Sequence, residues 1–159
     1  MIARLFPFTL LVLVGCNSAS TGKYSDDKAA LLDLAKLDLP IHSARWETFE
    51  TPENDGLVPG PTDYVSLIAE LTPAVPITHS AHPTLSNIWL TPNVARPWMT
   101  PHFRSLFAQH ANARFTNTQS NRCQTLQATL AKTGKPIEGL VFSDASRSVI
   151  YLRLYSALE

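Results

Sequence analysis

The chain has 159 residues, 45% of them hydrophobic and 16% charged, with thirteen Lys and Arg set against thirteen Asp and Glu. That length and hydrophobic fraction fit one folded domain and exclude a wholly disordered chain. The zero formal charge argues against a dedicated nucleic-acid binder, and twelve Pro against six Gly predict many chain breaks.

Residues 1–16 read MIARLFPFTLLVLVGC. Arg4 supplies a positive start, and Leu5 to Val14 is an apolar run of ten residues. About 20 apolar residues are needed to span a bilayer, so the run reads as a signal segment over 1–15 rather than a permanent membrane helix. Leu13-Val14-Gly15-Cys16 resembles the lipobox of bacterial lipoproteins. The resemblance covers about a tenth of the chain. It implies a diacylglyceryl group on the Cys16 thiol, cleavage before Cys16 and acylation of the new N-terminus. Two or more acyl chains anchor stably, so the resemblance implies a body held at a membrane surface in the cell envelope, facing the periplasm. Asn17, where Asp would favour the inner membrane in enteric lipoproteins, implies the outer membrane. With Cys16 lipidated, Cys123 is the one remaining thiol and no intramolecular disulfide forms.

Residues 16–25 read as a lipidated Cys and a small, polar tether, and 26–159 as a single globular domain. Ser25, Asp26 and Asp27 suit a helix start, and Leu31, Leu34, Ala35 and Leu39 recur at helical spacing until Pro40; the expectation is a helix over 26–38. Residues 43–51 alternate as a strand, and 52–62 (PENDGLVPGPT) form a loop. Residues 63–71 fit both periods, with the flanking Pro61 and Pro73 favouring strand. A Pro-rich loop over 72–86 leads to a short strand at 87–91 and one helical turn at 93–98. Thr100 reads as an N-cap with Pro101 at the first helical position, opening a helix whose stripe is Phe103, Leu106, Phe107 and His110. Residues 111–119 read as loop. Cys123, Leu126 and Leu130 read as one helical line over 121–133, closed by Gly134 and Pro136. Strands 137–143 and 148–156 form a C-terminal β-hairpin, with Ile150, Leu152 and Leu154 on one face. Helices scattered among antiparallel strands without a βαβ rhythm indicate α+β. The expected fold is a small, mainly antiparallel sheet of three to five strands with helices on one face.

Charge is unevenly distributed. Residues 24–70 hold ten acids and three bases; residues 71–137 hold six bases and no acid. One reading is that the two halves pack together and neutralise. The other is an exposed basic face for anionic lipid or glycan or for an acidic protein, with Arg96, Arg104, Arg114 and Arg122 as its candidates. Tyr64, at the end of the rigid VPGPTDY segment, and Trp98 are candidate interface anchors. His79 and His82 have H-x-x-H spacing but no nearby carboxylate, so no metal site is expected. No nucleophile elbow, zinc-protease motif or phosphate loop occurs, so no catalytic residue and no cofactor is assigned. Cys123 reads as a buried structural thiol. These features describe a non-catalytic, lipid-anchored envelope protein acting as a protein-interaction module: an accessory subunit, inhibitor or immunity-type protein. A binder of lipopolysaccharide or peptidoglycan and a small envelope hydrolase are the alternatives. Expected partners are the membrane, through Cys16, and an envelope protein, with no nucleic acid.

Overall fold

A computed structural model describes residues 24–51, 64–75, 88–89, 94–110, 114–115, 122–144 and 146–156. Helix α1 spans Lys28–Leu34, with strand β1 (Ala35–Leu37) directly after it and the long β2 (Ile41–Thr51) next. Then come β3 (Tyr64–Pro73), β4 (Ile88–Trp89), α2 (Pro101–Gln109), β5 (Arg114–Phe115), β6 (Arg122–Leu130), β7 (Pro136–Ser143) and β8 (Ser148–Ser156). Six strands form one antiparallel sheet in the order β1-β6-β7-β8-β3-β2, curled into a half-barrel. β4 and β5 pair separately.

The fold is therefore mostly β, not the helix-rich α+β arrangement with a three- to five-stranded sheet. The largest correction is at 121–133, where the expected helix is strand β6. Cys123, Leu126 and Leu130 satisfy a helical spacing, but Gln124, Leu126 and Ala128 satisfy a period of two and are the residues buried on one face. Thr125 and Thr129, both β-branched, suit a pleated strand. Gly134 does stop the element, with φ 69°. It serves the turn of the β6–β7 hairpin, where Gly134 N–H donates to Leu130 O at 2.9 Å. The helix expected over 26–38 is shortened to α1, because Ala35–Leu37 pairs with Ala128–Leu130 of β6. Its N-cap is Asp27, whose carboxylate accepts from Ala30 N–H at 3.0 Å.

The strands read over 43–51, 63–71, 137–143 and 148–156 are β2, β3, β7 and β8, and β8 lies in the interior of the sheet. Helix α2 starts at Pro101 after Thr100 and buries Phe103, Leu106 and Phe107. The loops expected at 52–62 and most of 72–86, with His79 and His82, lie outside the described residues.

Both faces of the sheet are covered, and the helices lie on opposite faces. One face carries Ala44, Leu67, Ala69, Leu71, Leu126, Val141, Ile150 and Leu152 beneath Leu31 of α1. The other carries Ile68, Cys123, Phe142 and Val149 beneath Val94, Trp98, Met99 and the aromatic stripe of α2. Phe142 meets Phe107 and Phe115 edge-on, with centroids 5.0 and 5.3 Å away. Burying a large apolar side chain contributes roughly 1.5–3 kcal/mol, so these two layers dominate the stability. Gly139 of β7 leaves no room for a side chain: a Cβ there would collide with Tyr151 O and with the Leu152 side chain of β8.

Candidate functional site

The α2 layer is joined to the sheet by two carboxylates. On β2, residues of odd number face α2, which brings Arg45, Glu47 and Phe49 toward segment 94–100. Glu47 Oε2 accepts from Trp98 Nε1 at 2.7 Å. Glu47 Oε1 lies 2.7 Å from Arg96 Nε, an ion pair bent away from a linear hydrogen bond. The two side chains are only 12% and 11% exposed, and the Arg96 guanidinium lies 4.1 Å from the Phe49 ring centroid. Beside them, Glu70 of β3 is 4% exposed. It accepts from Thr100 N–H at 2.8 Å, and its other oxygen lies 3.4 Å from Arg147 Nη1. The capping role at α2 thus belongs to Glu70, a carboxylate at a helix N-terminus. The Thr100 hydroxyl is buried without a hydrogen-bond partner.

At the outer edge of β2 this layer becomes a surface. Ser25 and Trp46 exchange both backbone hydrogen bonds, at 2.7 and 2.8 Å, and Trp46 Nε1 donates to Asp27 O at 2.9 Å. The end of the tether is therefore stitched to the sheet. Tyr24 packs on Trp98 with centroids 5.8 Å apart. Arg45 donates to Trp98 O at 3.5 Å and Arg104 to Pro97 O at 3.3 Å.

A second feature lies at the opposite edge. Ala131 N–H donates to Leu34 O and Leu130 N–H to Lys135 O. Successive residues of a strand present their backbone groups to opposite sides, so Thr125 and Gln127 present theirs to the β1 side. But β1 stops at Leu37, opposite Ala128. Among the described residues no strand continues past that point. An open groove of about 500 Å³ lies there, lined by Leu37, Leu39, Leu126, Ile137 and Val141, with the exposed charges Lys36, Asp38 and Glu138.

The structure brings Arg96 and Trp98 together, on Glu47. Arg96 joins the basic and acidic halves and does not stand on an exposed basic face. Arg104, Arg114 and Arg122 are exposed on α2, β5 and β6. Tyr64 is at the start of β3, remote in register from Trp46, with the Arg153 guanidinium 4.2 Å from its ring centroid. Cys16 lies outside the described residues. Cys123 is fully buried, and burial pushes its thiol up to about 12, which keeps it protonated and poorly nucleophilic at neutral pH. Among the described residues no group of three His, Cys, Asp or Glu side chains could hold a metal ion, and no helix is long and apolar enough to cross a membrane. Sequence reasoning missed Glu47, Glu70, Arg45 and the groove. The first three carry only the ordinary signal of charges on strands, and the groove depends on where β1 ends. Searches of family models, curated proteins and solved structures give no match to this chain.

Proposed function

We propose that this protein is a non-catalytic, lipid-anchored envelope protein whose body binds another protein, with Cys16 as its membrane attachment and the outer membrane as its site. The lipobox-like Leu13-Val14-Gly15-Cys16 supports the anchor. The observation that carries the binding reading is the truncated edge strand: β1 pairs with three residues of β6, so among the described residues no strand lies beside the backbone of Thr125 and Gln127, and Gln127 lines the groove. An open sheet edge is a template for an added strand, and main-chain hydrogen bonds there supply affinity while side-chain pockets supply specificity. Leu37 and Leu39, partly exposed at its rim, offer the apolar part of such a pocket. A partner segment entering as an extended strand would continue β1. This arrangement suits an accessory subunit, inhibitor or immunity-type protein, which acts by occupying a partner.

The test is crosslinking of the full-length protein in its native cells, followed by detergent purification and mass spectrometry. One stoichiometric protein partner is the expected result. Recovery of lipid or glycan alone would replace this reading with that of a binder of anionic envelope material. Recovery of neither would overturn it in favour of an enzyme.

A further inference from the structure

The tether leaves the body at Tyr24, eight Cα–Cα steps from Cys16. A fully extended chain spans at most about 3.6 Å per residue, so the Tyr24 Cα lies within about 29 Å of the Cys16 Cα. At this exit two exposed guanidiniums, Arg45 and Arg104, lean on the carbonyls of the consecutive residues Trp98 and Pro97. Neither makes an ion pair among the described residues. Three carboxylates of this neighbourhood are committed elsewhere: Glu47 to Arg96 and Trp98, Glu70 to Arg147 and Thr100 N–H, Asp27 to the start of α1; Asp26, two residues from Tyr24, is exposed. Tyr24, 41% exposed, packs against Trp98 beside them.

We propose that the Tyr24–Arg45–Arg104 corner is the surface that meets the membrane, its two arginines binding the phosphates of anionic lipid headgroups. The inference rests on lipidation of Cys16. Guanidinium matches phosphate geometry, and an aromatic with one apolar and one polar end suits the headgroup level. The short tether supplies the high local concentration that makes two weak contacts count. The rest of the molecule is then oriented by its anchor and this corner together. None of the residues lining the groove at β6 belongs to this corner, so a partner can still enter there.

The experiment uses the full-length lipidated protein in vesicles of phosphatidylcholine alone or of equimolar phosphatidylcholine and phosphatidylglycerol. A fluorophore is placed at Ala108→Cys, one helical turn beyond Arg104, or at Thr133→Cys in the β6–β7 turn; buried Cys123 stays unlabelled. Nitroxide lipid headgroups report proximity. The expected result is strong quenching at position 108 in the anionic vesicles, weak quenching in the neutral ones, and little change at position 133. R45E/R104E abolishes the anionic-specific quenching and R45Q/R104Q lowers the docked-to-undocked ratio by about 30-fold, two basic residues at an anionic surface. Equal quenching in both vesicle types, or quenching indifferent to these substitutions, overturns the proposal. So does a fluorescence change produced equally by inorganic phosphate without vesicles. The intact mass separates this failure from that of the anchor: an unlipidated Cys16 refutes the reading of the function, whereas a lipidated protein without oriented docking refutes only this surface.

Discussion

Removing the Glu47 carboxylate tests the junction between the sheet and the α2 layer. In Glu47→Ala the Arg96 guanidinium, 12% exposed, loses the Glu47 carboxylate, and Trp98 Nε1 loses its acceptor. Breaking a buried ion pair from one side costs about 3–5 kcal/mol. Phe49 retains the cation through a contact worth roughly 1 kcal/mol, so the lower end, about 3 kcal/mol, is the expected loss. Glu47→Gln keeps an oxygen for Trp98 and loses about 2 kcal/mol, the Trp98 bond sparing roughly 1. Adding Arg96→Met to Glu47→Gln removes the largely buried cation together with its lost Glu47 contact and returns stability to within about 1 kcal/mol of the parent. Equilibrium unfolding in urea followed by circular dichroism reads all three, and with a slope near 2 kcal/mol/M the Glu47→Ala midpoint falls by about 1.5 M. A Glu47→Ala loss under about 1 kcal/mol, or a double variant no more stable than Glu47→Gln, would show that the pair is solvated and refute the reasoning.

Three further outcomes follow from the same geometry. Thr100→Val stabilises by about 1 kcal/mol, opposite to the usual loss at an N-cap, because its buried hydroxyl is unpartnered and Glu70 caps instead; a loss in urea midpoint contradicts this. Above the ordinary thiol value of 9.0 the unfolded chain releases the Cys123 proton that the folded chain holds up to about 12, so folding weakens as pH rises. The parent therefore loses about 1.4 kcal/mol per pH unit more than Cys123→Val between these limits, and parallel pH curves would disprove it. Gly139→Ala forces β7 from β8 at Tyr151 and Leu152 and lowers stability by roughly 1–3 kcal/mol, measured by thermal unfolding; an unchanged midpoint would mean the strands separate freely there.

Much of the sheet was legible because β2, β7 and β8 combine a period of two with bounding turn residues, whereas β3, buried on both faces, fits both periods and is tilted toward strand only by Pro61 and Pro73. Helix α2 was legible through Thr100-Pro101 and its apolar stripe. Strand β6 was not, since Leu126 belongs to both periods and Gln124, a polar residue, occupies a buried position that the hydrophobic pattern does not mark. Arg96 and Trp98 were legible as residue types suited to an interface, but their shared acceptor Glu47 is set by β2 lying under segment 94–100, a tertiary fact. Likewise Arg45 and Arg104 meet at consecutive carbonyls only because the strand edge and the helix share a corner. The groove exists because β1 is three residues long while β6 is nine.

The open side of β6 is where a partner strand is proposed to bind. The most direct measurement places a photocrosslinking residue at Gln127 of the full-length protein in its native cells, with Thr48 on the opposite edge of the sheet as the comparison position. The expected result is one discrete crosslinked protein from Gln127, lost when Thr125→Pro removes a backbone donor on the β1 side of β6, and no such product from Thr48. Crosslinks from Thr48 alone, or none from Gln127 in a protein shown to be lipidated and folded, would contradict it.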